Sequence, residues 1–465
     1  VFAEGLNICT TVLPVHGGAI ATDGADMVLL EDSDGDGKAD RRTVLWSGIG
    51  LRDTHACVSN LRHGFDGWIY ATVGYSGLNV KVGGRSHQSS QAVFRFLPDG
   101  SEFEVLQDTS NNTWGLGFTE QGDLLGSTAN GNPSWYHTIP QRYFDAVGQA
   151  AARVARADTK EMLAPITDDY FQNSPKEVHS SAAGHAIYSS RRFPEEWWNR
   201  RVLICEPPMH LVSAPSLSRT GRGFATQGFE HNLYASADAW SAPVAAEVGP
   251  DGAVWVADWY NPICNHNPYR KHQKRGEGNA FETDDRDREH GRIYRIYPAG
   301  SHNDIYPDLD SNEGALQALK HPNLFWRLAA QRVLARRIVP GELIGMARET
   351  PHPAVQFHLV LAASENRLDA VQVAALARRM GIGTAPGGEG RQGALATGVL
   401  SGSKEANLGW LRDEHRDHLD RKAAALQLAG LEPDPRLGDE LLRLVRAEPS
   451  IASDGQLAEA LMLAI

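Results

Sequence analysis

Four aspartates within nine residues, in the stretch Asp32-Ser-Asp-Gly-Asp-Gly-Lys-Ala-Asp40, form the densest set of hard oxygen ligands in this chain. Carboxylates at alternate positions, with a glycine to bend the backbone, can wrap a cation such as calcium. Asp32, Asp34, Asp36 and Asp40 fill positions one, three, five and nine of a twelve-residue calcium loop, and Gly37 fills position six. Position twelve is Thr43 where such loops carry a bidentate glutamate. The flanks Asp26–Leu30 and Arg42–Trp46 alternate like strands, so the expected element is a calcium-type turn between two β-strands. An acidic hairpin that binds nothing is the alternative.

A second group of chemically capable residues sits in loops that each lead into an apolar strand. They are Thr54-His55, Asn111-Asn-Thr-Trp114, Gly184-His185 and Asp238-Ala-Trp-Ser241. His55 is the best general base among them, because imidazole titrates near working pH and can take a hydroxyl proton. With Asn112, Trp114, His185 and Trp240 it would line a pocket of histidines, amides and indoles suited to a sugar-like or quinone-like ligand. A loop histidine is more often a hydrogen-bonded bystander. The loop Asp258–His266 and the charged run Asp284–His290 are weaker candidates.

These residues need elements to position them. The segments Gly64-Phe-Asp-Gly-Trp-Ile-Tyr-Ala, Glu120-Gln-Gly-Asp-Leu-Leu-Gly and Gly249-Pro-Asp-Gly-Ala-Val-Trp-Val-Ala each place a tight turn before an apolar strand. Gly67 and Gly122 are 55 residues apart and Gly252 lies 130 further on, which leaves room for one more unit around Gly184–Tyr188 and Arg201–Cys205. A four-stranded unit repeating at this interval predicts a β-propeller of five to six blades, with a sandwich as the alternative. Loops entering the innermost strands of successive blades converge on one tunnel mouth, which would gather His55, Asn112 and His185. After about residue 310 the period becomes helical, with Trp326, Ala330, Val333 and Leu334 on one stripe and His321-Pro and His352-Pro before two such stripes. Further helical stretches run over Ala370–Met380, Ala423–Leu431 and Gly438–Arg446. The expected architecture is a propeller over 1–300 and a helical solenoid of the HEAT kind over 311–465, the latter a packing or docking surface.

The net charge of −12 argues against a nucleic-acid backbone as partner. No run of eighteen apolar residues is present to span a membrane. Val1 at the start and the apolar run Leu461–Ile465 at the end make both ends look cut. Cys9, Cys57, Cys205 and Cys264 form no zinc or haem-attachment spacing.

The stretches Leu30–Arg42, Asn60–Tyr70, Glu247–Asp258, Gly276–Thr283, His290–Arg295 and His321–Leu328 together resemble the membrane-bound dehydrogenase family of planctomycetes and verrucomicrobia. That resemblance implies a propeller like soluble quinoprotein glucose dehydrogenase, then HEAT repeats, and haem c only in a domain this chain does not contain. It implies a periplasmic or secreted sugar or alcohol dehydrogenase using pyrroloquinoline quinone and passing electrons to a cytochrome c. His55 stands where the catalytic histidine of quinoprotein glucose dehydrogenases precedes a Gly-Pro-Asp-Gly strand, at a spacing one residue longer. Asn111–Leu116 aligns with that family's quinone-binding Arg-Asn-x-Gln-Gly-Leu segment. Asn112 is kept, while Asn111 replaces the arginine and Trp114 the glutamine. The alternatives are a non-catalytic carbohydrate- or protein-binding propeller, and a lactonase-type hydrolase using Glu206 and Asp258.

Overall fold

The Asp-Gly turns that repeat through the sequence close the first hairpin of their blades in a computed structural model of the protein. The structure describes residues 1–157, 163–168, 178–220, 223–228, 231–264, 287, 289–364, 367–380, 404–413, 418–429, 435–448, 451 and 454–464. Blade one is β1 (Val12–Val15), β2 (Gly18–Asp23), β3 (Asp26–Glu31) and β4 (Arg41–Ser47) in sequential order. Blade two pairs β5 (Val58–His63) with β6 (Ile69–Val73), β9 (Ala92–Phe96) and β10 (Phe103–Asp108). The hairpin β7 (Leu78–Val82) and β8 (Arg85–Ser89) is inserted between β6 and β9. Blade three is β11 (Thr113–Phe118), β12 (Leu124–Thr128), β13 (Asn132–Tyr136) and β14 (Ala155–Arg156). Blade four is β15 (Ala183–Ile187), β16 (Val202–Glu206), β17 (Leu211–Ser213) and β20 (Tyr234–Ala235), with the hairpin β18 (Ser216–Thr220) and β19 (Gly223–Gln227) inserted. Blade five shows β21 (Pro243–Val248), β22 (Val254–Asp258) and β23 (Arg292–Ile296).

Successive blades touch through β1, β5, β11, β15 and β21, which are therefore the innermost strands. The fold is a five-bladed propeller followed by helices, at the lower end of the five to six blades expected. The repeated turn has a physical basis shared between blades two and five. Gly67 and Gly252 adopt φ of 85° and 77°, the left-handed region that glycine enters without strain. Asp66 accepts from the Tyr70 hydroxyl (2.5 Å) and pairs with Arg95 on β9 (2.7 Å). Asp251 accepts from the Trp255 indole (3.0 Å) and pairs with Arg295 on β23. The same aspartate, aromatic and arginine trio thus ties the first turn to the third strand in both blades.

A short helix, α1 (Gln141–Ala146), lies within blade three. The chain then continues as α2 (Asn312–Ala318), α3 (Leu324–Arg337), α4 (Pro340–Glu349), α5 (Pro353–Ala362), α6 (Ala370–Arg379), α7 (Lys404–Arg412), α8 (His418–Ala429), α9 (Pro435–Ala447) and α10 (Gly455–Ala464). Pro353 opens α5 in its first turn as expected, whereas Pro322 stands just before the Asn323 cap of α3. None of the described helices is long and apolar enough to cross a membrane.

Helix α3 lies across the turn face of the propeller. Gln331 donates to the Phe65 carbonyl (2.7 Å), Arg327 to Glu120 (2.9 Å) and Trp326 to the Pro250 carbonyl (2.7 Å). The Leu324 amide donates to the Ser189 carbonyl (2.9 Å), so one helix touches blades two to five. Phe65, Trp68 and Phe118 share a single core with Leu324, Ala330 and Phe357. The contact continues around the outside of blades two and three, where Arg142 pairs with Asp369 and Gln456 reaches the Tyr136 hydroxyl (3.1 Å).

Candidate functional site

With α3 on the turn face, the loops that enter the inner strands form the opposite, open face. His55 lies there in a one-turn 3-10 segment, Thr54–Ala56, whose start is capped by the Asp53 carboxylate accepting from the His55 amide (2.9 Å). The His55 carbonyl accepts from the Asn112 side-chain amide (3.0 Å) and from the Trp114 indole, both at the entry to β11. Its ring meets Trp259 edge to face, with centroids 5.9 Å apart. Asn111 Oδ1 accepts from the Asn112 amide (2.7 Å) and from the Tyr75 hydroxyl (2.5 Å). Trp240 packs on Tyr260, 5.2 Å between centroids, and the sequence neighbours Trp259 and Tyr260 join this pair to His55.

The structure thus brings His55, Asn112 and Trp114 together, with Trp240 one aromatic pair away. His185 is not part of the group. It is fully buried in the seam between blades three and four, where its Nε2 lies 3.1 Å from Ser134 Oγ and its Nδ1 has no partner among the described residues. A Cβ on Gly115 would lie 2.6 Å from the His185 Cβ, so the glycine is what lets β15 close against β11 at this point. Burial pushes the His185 pKa down to about 3 and keeps the ring neutral. Trp259 and Tyr75 are the residues that sequence reasoning passed over. Trp259 lay within a loop set aside as weak, and Tyr75 follows the end of β6 with no motif around it. Residues 265–266, 284–286 and 288 of the two weaker candidate loops, and the stretch 276–283, lie outside the described residues.

The family described as Domain of unknown function (DUF7133) matches residues 1–300. The chain belongs to the DUF7133 family. The comparison with curated proteins gives no match. Among solved structures, this DUF7133 chain is similar to an oxidoreductase (glucose dehydrogenase) of Thermus thermophilus at 12% identity. That match covers 54% of this chain and 91% of the other, with a TM-score of 0.29. It is also similar to a PQQ-bound aldose sugar dehydrogenase of Streptomyces coelicolor at 13% identity, over 63% of this chain and 95% of the other, TM-score 0.30. A luciferin-regenerating enzyme matches at 9% identity over 63% and 79%, TM-score 0.35. Likenesses this distant carry no argument about the site, which rests on its own residues.

Two arginines of the DUF7133 open face and tunnel, Arg62 and Arg292, are paired with carboxylates of the chain itself. Arg62 on β5 bridges to Glu247 on β21 and also donates to the Leu116 carbonyl (3.2 Å), joining inner strands of non-adjacent blades. Burial raises the Glu247 pKa while Arg62 pulls it down. Arg292 pairs with Asp258 (2.8 Å) and Asp238 (2.6 Å). Asp258 accepts in addition from the Ala242 and Tyr260 amides (2.6 and 2.9 Å). Glu206 is wholly buried and accepts from Ser180 Oγ (2.6 Å), from His179 Nδ1 (3.2 Å) and from the Ser181 and Ala182 amides. Burial alone would raise its pKa, but these partners, His179 foremost, hold it below the usual carboxylate range. Glu206 and Asp258 are thus filled with donors and are not open metal ligands, so no metal-dependent hydrolysis is built on them.

A quinone bearing carboxylates needs guanidinium forks to receive them. Asn111 stands where the resemblance expects an arginine and is occupied by Tyr75 and Asn112. Arg62 and Arg292 are committed to carboxylates of this chain. Among the described residues around His55 no guanidinium is thus left for the carboxylates of pyrroloquinoline quinone, since Arg52 lies aside in the neighbouring groove, and no step is routed through that cofactor. The aspartate loop is a different case. Asp32, Asp34 and Asp40 offer oxygens within 4.8 Å of one another, an all-carboxylate set that fits a hard cation. Asp36 lies outside that trio, its carboxylate accepting from the Lys38 amide (2.8 Å). The Gly37 and Gly35 amides donate to Asp32 and hold its pKa below the usual carboxylate range.

Proposed function

We propose that the DUF7133 propeller binds a carbohydrate or polyol on its open face, with its uncharged hydroxyls lying against His55, Trp259, Tyr260 and Trp240. The observation that carries this reading is the pairing of charge. Partly exposed aromatic rings stand beside amide groups, while the arginines Arg62 and Arg292 are neutralised by their own carboxylates. Aromatic faces supply apolar area at little entropic cost, and a few polar groups orient the ligand. Calorimetric titration with a panel of neutral mono- and disaccharides tests it. At least one should bind wild type, and Trp259→Ala should weaken it roughly tenfold, about 1.4 kcal/mol. A panel that gives no heat, or binding indifferent to Trp259→Ala, rejects the reading.

A second reading is favoured by the way His55 is held. Its amide and carbonyl are both fixed, so the ring is presented at a set position beside Trp259. In that reading the imidazole takes the proton of a ligand hydroxyl while the hydride on the same carbon passes to an external two-electron acceptor, the dye in the assay below, with a periplasmic cytochrome c-type protein as the final one-electron sink. Dye-linked turnover of a bound sugar, abolished in His55→Ala with binding retained, is the expected result. We further propose that Asp32, Asp34 and Asp40 hold a structural calcium ion, and that the helical region is a HEAT-like docking surface.

A further inference from the structure

Beside the His55 turn, between the edge of blade one and the β7–β8 hairpin, lies a groove of about 370 Å³. Its polar lining includes Arg52, Tyr75, Ser76, Asn79, Gln88 and Ser89, and among the described residues Arg52 is the single charged one that lines it. The groove wall is tied to the open-face site. The Ser76 amide donates to the Ala56 carbonyl (3.2 Å), and Ser76 Oγ donates to the Asp53 carbonyl (2.6 Å) within the turn that carries His55. Tyr75 is 36% exposed, and its hydroxyl is anchored on Asn111, so the ring is a fixed platform shared by groove and site.

The guanidinium of Arg52 differs from the others on this face. One terminal nitrogen donates to the Tyr75 carbonyl (2.9 Å), and among the described residues no carboxylate pairs with it. A guanidinium carries five donors in a rigid fork, so most of them are left for a ligand. A carboxylate, sulfate or phosphate oxygen pair matches that fork in a charge-assisted, two-pronged contact. A free anion gains little here, because the net charge of −12 repels it at long range. An anion carried on a sugar that the neighbouring aromatic face already holds arrives at high effective concentration.

We propose that this groove is a subsite for an acidic substituent of the carbohydrate ligand, with Arg52 receiving the anion and Tyr75 supporting the sugar ring that bears it. The inference rests on the reading of the open face as a carbohydrate site. The test is calorimetry at low and high salt with two matched pairs of probes, galacturonate trimer against its methyl ester and galactose 6-sulfate against galactose. An acidic member should bind at least tenfold more tightly than its neutral partner. That advantage should vanish in Arg52→Gln and shrink with salt, while the neutral partner binds both proteins alike. Which pair shows the advantage separates a carboxylate from a sulfate. Arg52 is exposed, so Arg52→Gln should melt as wild type does, and Arg52→Lys should keep part of the preference. Acid and neutral members binding equally, or a preference that survives Arg52→Gln, overturns the subsite and leaves the open-face reading standing. Absence of binding by all four probes and by the neutral sugar panel overturns both.

Discussion

At the scale of single residues, His55 and His185 show how position within a blade decides what a histidine does. Both were legible as histidines near the start of an inner strand. His55 sits in the loop ahead of β5, so its ring projects at the open face. His185 falls inside β15, and a one-residue difference along a strand turns a side chain to the opposite side. Sequence spacing across a loop cannot fix that register. The Gly115 that makes room for His185 lies in the strand of the next blade. The burial has a consequence for stability. In the unfolded chain His185 takes a proton near pH 6.5, whereas in the fold its pKa is depressed to about 3. The unfolded state therefore binds more protons between those values, and folding stability is full above about pH 6.5 and falls as pH drops toward 3. His137, also buried with a pKa of about 3, adds to the same window. Denaturant titrations should show stability falling by up to about 1.4 kcal/mol per pH unit per histidine. His185→Gln, though less stable overall, should flatten that slope by one proton. An unchanged slope would mean that water or a shifted ring accepts the charge.

At the scale of elements, the repeated turn and the aspartate loop were both readable, because tight turns depend on local chemistry that the sequence states directly. The strands on either side of Asp32–Asp40 are β3 and β4, as their alternation predicts. What a list of aspartates could not give was the geometry. Three carboxylates converge, and Asp36 stands outside their group. Convergent carboxylates repel one another, and a divalent cation relieves the repulsion while ordering the turn. An ion that binds the folded loop far better than the unfolded chain stabilises by mass action, about 2.7 kcal/mol at a hundredfold excess over its dissociation constant. Calcium should therefore raise the melting temperature of chelator-treated protein, and magnesium should do so poorly because it keeps its waters. Asp34→Asn/Asp40→Asn should remove the calcium response, while Asp36→Asn should largely keep it. A melting temperature blind to calcium would identify the loop as an acidic hairpin.

At the scale of the whole molecule, the switch from strand to helix was visible in the change of period after Tyr297, but the relation between the two halves was not. The turns that mark the repeat are also the surface on which α3 lies, and no local pattern announces a contact between residues more than two hundred positions apart. Gln331 is the hinge of that contact. Its amide nitrogen donates to the Phe65 carbonyl (2.7 Å), and its oxygen lies 2.8 Å from His358 Nδ1 on α5, all of it buried. Replacing it by leucine keeps the volume and leaves both partners without a bond, at a cost of about 1–3 kcal/mol for each buried group stranded. Gln331→Leu should therefore lower the melting temperature of the intact chain while leaving sugar titrations on the opposite face unchanged. A chain ended after residue 300 loses far more, since Phe65, Trp68 and Phe118 then face water in place of Leu324, Ala330 and Phe357. A patch of that size on a soluble domain drives association. The truncated propeller should bind a hydrophobic dye and elute as aggregates in size-exclusion chromatography. Should it instead elute as a monomer with the melting temperature of the full chain, the helices would be an appendage and the shared core would contribute nothing to the propeller's stability.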